Sequence, residues 1–177
     1  MERMPITGPD SPWFTPAMEL YRAAFPHHEQ RTDRDQLRAM EDPAFHCDAI
    51  VEGGAFLGLI FYWISGAFCY VEHFAMDPTV RGRRLGGRAL EAFCAEQGTV
   101  VLEIDPPVDE LSQRRRGFYR RLGFVETPWP HRHPAYRAGI PPHPLVVMTW
   151  PRAFRREEYE SFARYLRGTV MAYAEQG

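Results

Sequence analysis

The chain has 177 residues, 45% hydrophobic and 14% aromatic, with a formal net charge of −2. That length suits one compact domain, the apolar content excludes a disordered chain, and near-neutrality argues against a general polyanion binder. All 21 basic residues are arginine, which excludes a Schiff-base lysine or any side-chain amine nucleophile.

Cys47, Cys69 and Cys94 are widely spaced, with neither metal-ligand nor redox spacing, so reduced thiols and a cytoplasmic location are expected. No basic-then-apolar leader opens the chain and no apolar run reaches membrane-spanning length, so no membrane role is expected.

In chain order, Ile6 to Gly8 is a candidate short first strand. Ser11-Pro12 then opens a helix, with Ser as N-cap and Pro at the first helical position, running to about Phe25 before Pro26. Thr32 or Asp33 caps a second helix, "DRDQLRAMED". "HCDAIVEGG" and "FLGLIFYWIS" form a hairpin across Gly53-Gly54. "AFCYVEHFAMD" is apolar on both faces and therefore central. Strict alternation puts Tyr70, Glu72, Phe74 and Met76 on one face and Val71, His73 and Ala75 on the other. A helix "RLGGRALEAFCAEQG", a buried strand "TVVLEIDPP" and a helix "VDELSQRRRGFYRRLGF" with Gly123 as its C-terminal cap follow. A Pro-rich segment from Thr127 to Pro144 leads to the last strand, "LVVMTW". The chain closes on an amphipathic helix from Arg155 onward, with Phe162, Leu166, Val170 and Tyr173 on one stripe. Long strands alternating with helices indicate an α/β or α+β domain with a mixed sheet.

The strand-to-helix junction "MDPTVRGRRLGGRAL" is dense in glycine and arginine. Such a turn aims backbone amides and a helix dipole at one point, which suits a phosphate or pyrophosphate. Without lysine it is no Walker loop, and the glycine spacing does not match the dinucleotide fingerprint.

This junction resembles the acyl-CoA loop of the GNAT superfamily of N-acetyltransferases, usually Arg-Gly-x-Gly-x-Gly. Arg81, Gly82, Leu85 and Gly86 fit the pattern, while Arg84 stands where the family usually has its middle glycine. "GFYRRLGF", Gly117 to Phe124, resembles the family's second signature, a helix that carries a tyrosine and closes on Gly-Phe. The resemblance spans about Ile6 to Trp150. It implies a GNAT-type mixed, mostly antiparallel central sheet with splayed parallel strands, flanked by helices. Residues 1–150 would form a single acyltransferase domain. Residues 151–177 would form a C-terminal helix packed on that domain or at a dimer interface.

The resemblance further implies acetyl-CoA as cosubstrate and direct transfer to an amine. The pantetheine arm would pair with Phe74, Ala75 and Met76, and the pyrophosphate with the loop Arg81, Gly82, Arg83, Arg84, Leu85, Gly86 and Gly87. Tyr119 takes the acid position. Glu72 and Glu103 compete for the base, each alternatively an ion-pair partner of a nearby arginine. Glu72 is preferred for its apolar setting and its neighbour His73, itself a second proton carrier or a hydrogen-bonded core histidine. Ser112 replaces the asparagine with which the family often contacts CoA. Among Arg114, Arg115, Arg116, Arg120 and Arg121 one would meet a CoA phosphate, the rest pairing with acids. In the Pro-rich segment Trp129, His131, His133, Tyr136 and Arg137 are candidates to line the acceptor site. His131 and His133 lack a third ligand, so no metal is expected. The expected partner is a small-molecule amine and no nucleic acid, with the protein a monomer or homodimer. The alternatives are a protein or peptide acetyltransferase of the same fold and a non-catalytic CoA-binding sensor.

Overall fold

The computed structural model describes residues 1–80 and 84–175. Thirteen elements follow in the order β1 (Glu2–Pro5), α1 (Phe14–Ala24), α2 (Asp33–Met40), β2 (Phe45–Glu52), β3 (Ala55–Ile64), β4 (Cys69–Met76), α3 (Leu85–Gln97), β5 (Val100–Ile104), α4 (Glu110–Arg121), β6 (Val125–Glu126), β7 (His131–His133), β8 (His143–Trp150) and α5 (Arg156–Gly168). The sheet runs β1-β2-β3-β4-β5-β8-β6, with β7 also on β8. Every pairing is antiparallel except β4 with β5.

The ends of several elements differ from expectation. The first strand is Glu2–Pro5, not Ile6 to Gly8. Ser11 does not cap α1; its hydroxyl accepts from Trp13 N within a preceding turn, and the helix starts at Phe14. Thr32 is the cap of α2, accepting from Asp35 N at 3.0 Å. The terminal helix stops at Gly168 and continues as a 3-10 turn over Val170–Tyr173.

The sheet separates two cores. One holds α1, α2 and α5 against Phe61, Trp63, Tyr70, Val101 and Val147, with Phe162, Leu166 and Val170 of the C-terminal segment inside it. The other seats α3 and α4 on Val71, Leu102 and Met148. Both rest on burial of large apolar side chains, each contributing roughly 1.5–3 kcal/mol.

Two irregularities in β4 shape the molecule. Phe61 pairs with His73 but Tyr62 pairs with Val71, so Glu72 is an extra residue, a β-bulge. The bulge overturns the alternation expected from sequence. Glu72 and His73 now share the α1 side, His73 against Tyr21 and Phe25, while Phe74 and Met76 turn toward α3. The parallel ladder to β5 also stops here, pairing only Cys69, Tyr70 and Val71 with Val100, Val101 and Leu102. Beyond it β4 follows β3 as far as Met76, while β5 follows β8 as far as Ile104. The two parallel strands splay apart.

Candidate active site

The splay opens a cavity of about 620 Å³. Its walls come from Tyr70 to Met76 of β4, Leu102 to Asp105 of β5, Phe25, His28 and Glu29 after α1, Arg115 and Tyr119 of α4, and His133, Tyr136, His143 and Leu145. From Glu72 onward the edge of β4 facing β5 has no ladder partner among the described residues. A free strand edge offers backbone donors and acceptors to an extended ligand. Phe74, Ala75 and Met76 all line this stretch.

Against Met76, which lines the cavity, stands the start of α3. The first-turn amides of Leu85, Gly86 and Gly87 have no intrahelical acceptor, so this end is electropositive. Gly86 lets the helix come close to β4, because a Cβ there would lie 3.1 Å from Met76 Cγ. Arg84 is the N-cap at φ 56 and ψ 14, the one non-glycine residue at positive φ among the described residues. Arg81, Gly82 and Arg83 lie outside the described residues.

Tyr119 reaches the cavity wall from α4, its ring edge-on to Phe118 and Phe124. Burial pushes its phenol up to about 12, against the pull of Arg115, so it is protonated at neutral pH.

The two glutamates differ. Glu72 is sealed from solvent and takes both Arg31 guanidinium nitrogens, at 2.8 and 2.7 Å. It also accepts from Trp63 Nε1 at 3.0 Å and from the Tyr136 hydroxyl. Burial works against ionisation, but the Arg31 guanidinium, with the Tyr136 hydrogen bond, outweighs it and holds the carboxyl at about 2. Glu103 accepts from the Tyr70 hydroxyl at 2.6 Å, bonds His131 Nε2, and has His133 Nε2 at 3.6 Å. Burial opposes its charge as well, yet His133, His131 and Tyr70 keep its pKa below the ordinary value.

His133 donates Nδ1–H to the Pro134 carbonyl, which leaves the Nε2 lone pair toward the cavity and Glu103. His73 bonds the Glu29 carbonyl at 2.9 Å, and burial lowers its pKa to about 4, so it is a neutral core histidine.

Other expected residues have different tasks. The Ser112 hydroxyl lies in a reciprocal capping box with Asp109 at the start of α4, 2.8 Å from Asp109 Oδ1. Arg114, Arg115, Arg116 and Arg120 pair with Glu110, Asp105, Glu126 and Glu126, whereas Arg121 makes no ion pair among the described residues. Of the Pro-rich segment, His133, Tyr136 and His143 line the cavity. Trp129 and His131 pack on Tyr159 of α5, and Arg137 holds the Gln30 and Arg31 carbonyls. Sequence reasoning missed His28, Glu29 and His143, which the fold brings to the cavity from distant segments. Burial, then Asp105, push the Glu29 carboxyl up to about 7 against the pull of Arg115.

A family model for the acetyltransferase (GNAT) family matches residues 14–124, well over half of the chain. The chain belongs to the GNAT acetyltransferase family. It is therefore an acyltransferase, and the splayed strands and cavity are the family's architecture in this sequence. A Bacteroides thetaiotaomicron protein assigned to the GNAT family superposes with a TM-score of 0.91 at 31% identity, over 97% of this chain and 98% of that one. The Escherichia coli ribosomal-protein-S18-alanine N-acetyltransferase has a TM-score of 0.60 at 16% identity, over 88% and 97%. An aminoglycoside 6'-N-acetyltransferase complexed with coenzyme A has 0.57 at 16%, over 84% and 95%. The last two share the fold alone. No curated protein sequence matches the chain. No helix among the described residues is long and apolar enough to cross a membrane.

Proposed function

We propose that this GNAT enzyme transfers an acetyl group from acetyl-CoA directly to the amine of a small-molecule acceptor. The observation that carries the reading is the gap between β4 and β5, with a phenol on one wall and a carboxylate-backed imidazole on another. Acetyl-CoA would supply the activated acyl group. The free edge at Phe74, Ala75 and Met76 would hold its pantetheine arm. The α3 start at Arg84, Leu85, Gly86 and Gly87 would hold its pyrophosphate, with Arg81, Gly82 and Arg83 assigned to the same loop on the family resemblance.

His133 is the base in this reading and Glu103 its partner. Its tautomer leaves the Nε2 lone pair, 3.4 Å from the Tyr136 hydroxyl, to take the proton that the acceptor ammonium must lose, and Glu103 stabilises the imidazolium that results. Tyr119, protonated at neutral pH, is the donor to the departing thiolate. Glu72 drops out as the base because a carboxylate with Arg31, Trp63 and Tyr136 already bound has little proton affinity left. A small acceptor is favoured because His133, Tyr136 and His143 close one side of the cavity. The aminoglycoside enzyme of the same fold is consistent with that choice.

The test is thermal unfolding with acetyl-CoA and with CoA, followed by an amine panel, small molecules and peptides alike, scored by thiol release. Both CoA forms should raise the midpoint. Tyr119→Phe and His133→Asn should each lower kcat by about a hundredfold, with CoA still binding. Absence of stabilisation by either CoA form sinks the reading, and faster turnover of peptides moves the acceptor class.

A further inference from the structure

Beside the acyl-transfer groups lies a second constellation that they do not use. His28 and Glu29 sit in the 3-10 turn after α1, and His143 opens β8. One ligand atom from each falls within 4.8 Å of the others. His28 Nε2 is 3.6 Å from Glu29 Oε1, and His143 Nε2 is 4.0 Å from the same oxygen. The two imidazoles meet edge to face with centroids 5.0 Å apart.

The contacts among these groups leave part of their polar capacity unmet. Both ring nitrogens of His143 are buried without a hydrogen-bond partner. An imidazole in that state forfeits the hydrogen bonds it would make in water unless something else satisfies it. A metal ion is a ligand that an unprotonated ring nitrogen and a carboxylate can satisfy together. Around an ion with bonds of 2.0–2.2 Å, tetrahedral ligand atoms stand roughly 3.4 Å apart. The observed separations need only a small inward rotation of the exposed His28 ring and the Glu29 carboxylate. Asp105 and Glu103 lie close enough to act on Glu29, and both favour a cation there, whereas Arg115 opposes it.

We propose that His28, Glu29 and His143 form a binding site for a divalent transition-metal ion of the zinc class. Two imidazoles and one carboxylate are the donor set such ions take, and they leave coordination positions open. All three residues line the cavity, so the open positions face the space assigned to the acceptor. A hydroxyl, carboxylate or neutral amine of the acceptor would complete the shell. His131 and His133, the pair the sequence drew attention to, are outside this set: His131 is spent on Glu103 and Tyr159, and His133 turns its Nε2 toward Glu103 and the Tyr136 hydroxyl. The three-residue site stands independently of the acyl-transfer reading, and only the acceptor's place in its shell rests on that reading.

The experiment is calorimetric titration of the untagged, chelator-stripped full-length protein with zinc chloride, repeated with cobalt(II) chloride while visible d–d absorption is recorded. One ion should bind per chain, and the cobalt spectrum should show nitrogen and oxygen ligands. His28→Ala, Glu29→Gln and His143→Ala should each weaken affinity at least about tenfold. His28 has a side chain 39% exposed, so its variant separates loss of a ligand from loss of the fold. No saturable binding, or binding that survives all three substitutions, overturns the proposal.

Discussion

At Arg84 a side chain stands in backbone that L-residues avoid. The left-handed region brings Cβ toward the following carbonyl and costs roughly 1–2 kcal/mol. Glycine would remove that strain, and the family pattern has glycine at this place. Strain held at a binding loop points to a task for the side chain. In the proposed reading the task would be to add a guanidinium beside the α3 amides assigned to the pyrophosphate. Arg84→Gly is therefore expected to move two measurements in opposite directions. Unfolding free energy, read from urea titration, should rise by about 1 kcal/mol. CoA affinity, read by calorimetry, should fall roughly tenfold, the equivalent of one charge-assisted hydrogen bond. Unchanged CoA affinity would leave Arg84 with no part in the cradle.

Among the elements, α4 shows how one residue type can suggest two roles. The family resemblance puts Ser112 where an asparagine often contacts CoA, but its hydroxyl and amide both bind Asp109 in the helix cap. Ser112→Ala should cost about 1 kcal/mol of stability in denaturant titration. It should leave the CoA dissociation constant within twofold, and a larger loss would return the serine to the site. The elements themselves were largely legible, because caps, glycines and apolar periods are local signals. Thr32, Gly53-Gly54 and Gly123 each ended or began what they were expected to. The splay of β4 from β5 was legible only through the family resemblance. The bulge at Glu72 was not legible at all, since an extra residue leaves no mark in a strand that is apolar on both faces. The His28, Glu29 and His143 cluster was hidden for another reason: no period or spacing relates a turn after the first helix to the start of the last strand.

Across the whole molecule, Arg31 joins parts that are remote in sequence. Its side chain is fully buried, clasps Glu72 in β4, and donates to the Val170 carbonyl beyond α5. Its guanidinium lies 4.7 Å over the Tyr136 ring in the Pro-rich segment and 5.7 Å over Trp63 in β3. Its own carbonyl is held by Arg137. The Pro-rich wall of the cavity is thus fixed to the sheet and to the C-terminal turn through one ion pair. An ion pair in such a place gains little over an apolar pair, but breaking it strands a buried charge. Arg31→Met should cost about 3–5 kcal/mol in denaturant titration. The double variant Arg31→Met with Glu72→Gln should recover part of that loss, because the stranded carboxylate is gone; additive losses would mean the two residues do not act as a pair. The same pair sets an acid limit. Glu72 is held at about 2 when folded, from an ordinary value of 4.5. Its contribution is complete above that ordinary value, and it declines as pH falls toward 2, where the folded carboxyl also takes its proton. Between these limits the wild type should lose more stability than Glu72→Gln, measured as urea midpoints at successive pH values. Parallel pH profiles for the two proteins would show that this carboxylate is not what acid attacks.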